Sequence, residues 1–251
     1  MIDAHIHLDQ YPNVEAEMKK WEEAGIKGVV AVSTDLRSSY RTLELKLKFP
    51  HFVYAAIGFH PEQTLPNETD WNEWLHLVKT ERHRLSAIGE VGLPYYTLKQ
   101  SSFSLANYVE FLEKVTEAAD TYDLPLVLHA VHEHAELALT ILRKYNISSA
   151  HFHWLKAPLP VVEKIIQLGY YISVTPEVCY RQRDQLLLSH IPLEQLLLET
   201  DGPWPFTGPF ANIKTSPLLL FESVKCVAKA YQKSVESVRK QVLTNTLKLY
   251  Q

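Results

Sequence analysis

The chain has 251 residues, 46% of them hydrophobic and 22% charged, the composition of a globular protein long enough for one large core or two small ones. Its net charge of −4 provides no global basic field, so any contact with a polyanion has to come from a local patch or from metal ions. No apolar run approaches a membrane span, and the two cysteines, Cys179 and Cys226, form neither a CxxC pair nor a disulfide framework.

In chain order, the first element is "MIDAHIHLDQ". Asp3, His5 and His7 alternate with Ile2, Ala4, Ile6 and Leu8, the mark of a strand with two different environments. "NVEAEMKKWEEAG" follows, with Val14, Met18 and Trp21 at helical spacing and Gly25 where a helix C-terminus favours glycine. "IKGVVAVST", "FVYAAIGFHP" and "LSAIGEVGL" read as the next strands, with Trp71 and Trp74 at helical spacing between the last two and assigned to the core. The helical "SLANYVEFLEKVTEAADTYD" precedes the strand "LPLVLHAV", and "HEHAELALTILRKY" precedes the strand "SAHFHWL". "YYISVTP" and "LLLETDGPW" complete eight strands. No linker, low-complexity tract or composition break divides the chain, so residues 1–251 are expected to form a single domain. With no secretory leader at the start, the expected compartment is the cytoplasm.

Eight strand-plus-helix units in about 250 residues have the rhythm of a (β/α)8 barrel, with a doubly wound open sheet as the rival. The polar residues decide between them. His5 and His7 lie on the first strand, His60 ends the third, and Glu90, His129, His153 and Asp201 end the fourth, fifth, sixth and eighth. An open sheet has no place where six strands spread across it converge, whereas a barrel brings every strand end to one mouth. Two imidazoles at i and i+2 both face inward there and suit one metal ion. A single histidine more often just hydrogen-bonds a backbone group, but six strand ends bearing His, Glu and Asp point to a metal hydrolase. "AHFHWL" offers both His151 and His153, and His153 is preferred because it lies nearer the mouth.

The segments "DAHIHLD", "GFHPE", "IGEVGLPYY", "LPLVLHA", "HWL" and "LLLETDGPW", through to "NTLKLY", resemble the TatD-like metal-dependent deoxyribonucleases, a branch of the amidohydrolase-type barrels. The resemblance implies two divalent metal ions per chain. It assigns His5, His7 and Asp201 to one ion, His129 and His153 to the other, and Glu90 to both. Imidazoles with carboxylates suit zinc, manganese, iron or nickel, while sites built for magnesium alone favour oxygen; the candidates are these five metals. The implied reaction is attack of metal-activated hydroxide on a DNA phosphodiester, with Asp201 taking or orienting the proton and Glu90 completing the catalytic pair. His60 and His134 are candidates for substrate contact or ligand support. Neither a membrane nor an obligate protein partner is implied.

Three positions depart from the family pattern: Pro94 in place of a common aspartate, Val131 in place of arginine, and "KTSP" at Lys214–Pro217 in place of "RNEP". They remove charge expected near the mouth. This leaves an alternative substrate, a lactone, amide or phosphotriester, and an alternative of another class, a non-catalytic metal-binding or regulatory barrel. Trp204, Phe206 and Phe210 either stack on bases or pack over the rim. Lys19–Lys20 and Arg181–Arg183 read as solvated surface.

Overall fold

A computed structural model describes residues 1–251. Its eight strands form one parallel sheet in chain order: β1 (Ile2–Ile6), β2 (Gly28–Val32), β3 (Val53–Ile57), β4 (Leu85–Gly92), β5 (Leu126–His129), β6 (Ala150–Phe152), β7 (Tyr171–Val174) and β8 (Leu196–Leu198). The connecting helices are α1 (Val14–Glu23), α2 (Leu36–Lys48), α3 (Glu68–Glu81), α4 (Leu105–Thr121), α5 (His134–Lys144), α6 (Leu159–Gln167) and α7 (Gln182–His190), followed after β8 by α8 (Leu220–Ala230) and α9 (Val235–Tyr250). This is the expected (β/α)8 barrel. None of the helices is long and apolar enough to cross a membrane.

Local signals set the element ends. The Asp35 carboxylate accepts the Ser38 N–H at 2.7 Å and starts α2, and Ser104 with Asn107 forms a reciprocal cap on α4. On α1 the buried positions are Val14, Met18 and Trp21, and Gly25 follows at φ +94°. Strands β2 and β5 are buried along their whole length, as parallel strands covered on both faces must be. Trp74 is fully buried and Trp71 stacks on it at 5.2 Å, so both serve the core.

The interior of the barrel is a separate apolar cluster. It takes Ile2, Ala4, Val30, Val32, Ala56, Ala87, Val127, Tyr171 and Leu197 from seven of the strands, and Leu249 and Tyr250 from α9. Only a lumen brings seven strands to one cluster, so α9 plugs the end of the barrel away from the mouth.

The strict alternation of the first strand does not hold. The β1–β2 register shifts between Asp3 and Ile6, and the apolar face splits: Ile2 and Ala4 join the interior cluster while Ile6 and Leu8 join the larger core. The Asp3 carboxylate does not join the histidine rings, although its Oδ1 accepts the His5 N–H at 3.3 Å. Its Oδ1 also accepts the Thr200 N–H at 3.0 Å and its Oδ2 the Thr200 hydroxyl at 2.5 Å. These bonds lie at the seam, where β8 meets β1 without a ladder. The seam is completed by the Asp201 N–H donating to the His5 carbonyl (3.0 Å) and the His7 N–H donating to the Gly202 carbonyl (2.8 Å).

Candidate metal centre

The C-terminal strand ends meet around one carboxylate. Glu90 sits where the β4–β5 register shifts, between Ile88 and Val91. Its flanking glycines let β4 press onto β5: a Cβ on Gly89 would lie 2.5 Å from the Val127 Cβ, and one on Gly92 (φ +152°) would lie 1.9 Å from the His129 carbonyl oxygen. Glu90 Oε2 is 3.1 Å from His5 Nε2 and 3.4 Å from His7 Nε2. Its Oε1 is 3.3 Å from His60 Nε2, 3.0 Å from His129 Nδ1 and 2.8 Å from His153 Nε2. Asp201, at the left-handed φ of +50°, places Oδ1 3.4 Å from both His5 and His7 Nε2. That oxygen is buried and has no hydrogen-bond partner.

Of the sequence candidates, seven therefore converge: His5, His7, His60, Glu90, His129, His153 and Asp201. His134 stands apart, buried with its ring against Tyr95 at 5.6 Å. On β6 it is His153 that meets Glu90. His151 lies deeper, its Nδ1 2.6 Å from the Tyr250 hydroxyl at the plugged end.

Two carboxylates escaped the sequence reading. Glu62 Oε1 lies 3.2 Å from His129 Nε2 and accepts the N–H groups of Tyr95 (2.7 Å) and Tyr96 (3.0 Å), while Oε2 accepts the N–H and hydroxyl of Thr97, each at 2.7 Å. Glu62 thus fixes both a ring and a mouth loop. Its place two residues after His60, in "GFHPE", was the available signal. Glu199 Oε1 accepts the Trp154 N–H at 2.8 Å and lies 3.4 Å from His153 Nδ1. A fully buried glutamate closing the run "LLLE" was its signal.

The carboxylates at the mouth are held ionised. Burial would raise the Glu90 acid, but the imidazoles of His60, His153 and His5 outweigh it and hold the carboxyl well below the usual range. Burial likewise opposes ionisation of Glu62, yet His129 and the Tyr95 N–H keep it low. Asp201 also stays below its ordinary range, because the neighbouring histidines His7 and His5 outweigh burial. Three anionic carboxylates thus share the mouth. His129 Nδ1 and His153 Nε2 face each other at 3.3 Å, so at least one lone pair points at the other ring unless a proton or a cation intervenes. His/Glu groups with metal-ligand spacing recur here, including His5–His7–Glu90 and His60–Glu90–His129. The donor chemistry fits divalent metal.

Because Glu62 accepts the proton of His129 Nε2, it leaves Nδ1 as the free donor atom facing Glu90. Glu62→Gln is expected to weaken metal binding by about 10- to 100-fold, the usual scale for losing a carboxylate behind a ligating histidine. Titration of the purified variant with Zn²⁺ and Mn²⁺ measures this, and wild-type affinity would reduce Glu62 to a support for the 95–97 loop.

Above the centre opens a cleft of about 730 Å³. Trp204, 61% exposed, lines it, whereas Phe206 and Phe210 are buried with Leu219 and only pack the rim. Arg181 and Arg183 are exposed, as expected of solvated surface, and they also line the cleft with Lys156. Of Pro94, Val131 and Ser216, only Val131 faces this cleft.

The family model for TatD related DNase matches residues 2–251. A metal-dependent hydrolase of Haemophilus influenzae is 38% identical over 251 residues, covering all of this chain and 99% of the relative. Deoxyribonuclease TATDN3 of Homo sapiens is 25% identical over 261 residues, covering all of this chain and 94% of that protein. Among solved structures, the TatD homologue YjjV of Escherichia coli superposes with a TM-score of 0.87 at 23% identity, over all of this chain and 97% of that one, and shares its fold. The converging strand ends and these matches agree, and the chain belongs to the TatD related DNase family, as a metal-dependent hydrolase.

Proposed function

We propose that the protein hydrolyses phosphodiester bonds in DNA, using two divalent cations, with residues 1–251 working as one hydrolase domain. The observation that carries this reading is the division of Glu90 between two donor sets: Oε2 toward His5 and His7, and Oε1 toward His129 and His153. His5, His7 and Asp201 would hold one ion, His129 and His153 the other, and Glu90 both. The family description and the name of the human relative support DNA as the substrate. The imidazole-rich set favours zinc, manganese, iron or nickel over magnesium.

When bound, the cations supply a lowered pKa for water and neutralise the charge of the phosphate oxygens. The chain's own groups do the rest. Asp201 Oδ1, buried and unbonded, accepts the proton of the attacking water. His60 takes a different part from the other rings: its Nδ1 accepts the Glu62 N–H at 3.1 Å. In the neutral ring the proton is therefore on Nε2, which points at Glu90 Oε1 3.3 Å away, so His60 would orient the Glu90 carboxylate and not ligate a metal. Glu62 and Glu199 hold His129 and His153 from behind.

The test is an assay of metal-loaded protein on single-stranded DNA, RNA and a panel of lactones and esters, with His5→Ala and His7→Ala alongside. DNA is expected to be cut, and each variant is expected to lose roughly tenfold or more. Turnover of a lactone or ester with DNA left intact would overturn the reading, as would full activity in both variants.

A further inference from the structure

The cleft over the metal centre does not end at its rim. A second cavity of about 490 Å³ adjoins it, and Lys156 and Arg183 line both. We propose that this second cavity is a binding site for the nucleotide flanking the scissile bond of a single-stranded DNA, with the flanking phosphate held between Lys156 and Arg183. The proposal rests on the phosphodiesterase reading above and adds a subsite to it.

Charge is the first support. The Lys156 ammonium pairs with no carboxylate; its neighbours are the Tyr96 hydroxyl at 3.1 Å and the Trp154 ring, 4.2 Å from the centroid. Arg183 spends only Nη2 on Glu177 and Asp184, which leaves Nε and Nη1 to donate. Lys156 thus brings an unpaired charge to the ridge, and Arg183, its own charge matched by Glu177 and Asp184, adds two free N–H donors, a pair suited to one phosphate.

Shape and polarity are the second. Beyond the ridge the walls turn mostly apolar, with Leu155, Pro158 and the 54% exposed Leu186, and His132 and Glu133 as the polar members. On the near side, Trp154, Trp204 and the 51% exposed Tyr96 offer ring faces. A row of aromatic face, cation and apolar wall matches the repeat of base, phosphate and base in an unstacked strand. A duplex keeps its bases stacked and has nothing to insert. A small lactone or ester would leave the ridge and the second cavity without a partner.

The experiment measures binding of phosphorothioate-linked oligodeoxynucleotides of two and three residues, which resist hydrolysis, to the metal-loaded full chain, by fluorescence anisotropy across a salt series. Wild type is expected to bind the trinucleotide about tenfold more tightly than the dinucleotide, within the range that one stacked base contributes. Lys156→Gln is expected to shrink that ratio below about threefold and to reduce the slope of log affinity against log salt by about 0.7, the loss of one single-strand phosphate contact. Leu186→Asp, an exposed change that spares the fold, is expected to shrink the ratio as well. Equal binding of the two lengths by wild type, or an unchanged ratio and slope in Lys156→Gln, overturns the subsite. Length-dependent binding by a protein that cuts no DNA upholds the subsite and overturns only the hydrolytic reading.

Discussion

Glu90→Gln is expected to leave the protein with fewer than two metal ions per chain and to lower turnover on DNA by at least about a hundredfold. The glutamine keeps the volume and still offers an oxygen to one group of imidazoles. It loses the negative charge and presents an amide to the other group. Five ring nitrogens lie within 3.4 Å of the two Glu90 oxygens, so this one carboxylate faces both sets. Two divalent ions repel each other about four times as strongly as two unit charges at the same separation, and a bridging charge on Glu90 would offset this. Elemental analysis of the purified variant, with circular dichroism to check the fold, measures the first outcome. Full two-metal occupancy would remove Glu90 from the bridge.

Asp201→Asn is expected to cut turnover by roughly a hundredfold or more, with metal in excess, the scale of a lost acid–base group. The substitution isolates the carboxylate. Asparagine tolerates the left-handed backbone at this position, where φ is +50°, about as well as aspartate does. It also keeps the N–H that donates to the His5 carbonyl at 3.0 Å. What is lost is one oxygen's capacity to accept a proton and its charge beside His5 and His7. Steady-state kinetics on single-stranded DNA, repeated over a series of metal concentrations, separate weakened loading from a slowed chemical step. Near-normal turnover would make Asp201 a turn residue and require another base.

Much of this was legible in the sequence, for a physical reason. Each barrel strand switches from an apolar run to a polar residue at its C-terminal end, so His129 after "LVL" and Asp201 after "LLLET" could be placed at the mouth from pattern alone. Period-two reasoning failed at β1, because a register shift parts the Asp3 side chain from the His5 and His7 rings and sends its carboxylate to Thr200. Groups that act through another residue were harder to see. Glu62 and Glu199 take their meaning from contacts with His129 and His153, 67 and 46 residues away by the numbering, and nothing local predicts such pairs. Arg181 and Arg183 are exposed as read, but that they also line the cleft depends on where the barrel places them, which nothing local encodes.

The seam between β1 and β8 has one more consequence. The groups proposed for the first ion come from residues 5, 7 and 201, and those same stretches supply the bonds that shut the barrel: Asp3 to Thr200, His5 to Asp201 and His7 to Gly202. Closure and assembly of the centre are therefore one event. A nascent chain still short of residue 201 has no place for that ion, and a folded chain whose seam has sprung open loses it. Because an ion that binds only the closed form stabilises that form by mass action, loading of the proposed site would act as a latch across the first and last strands. The hydrolase would thereby stay inert during synthesis and become active only when its first and last strands have met.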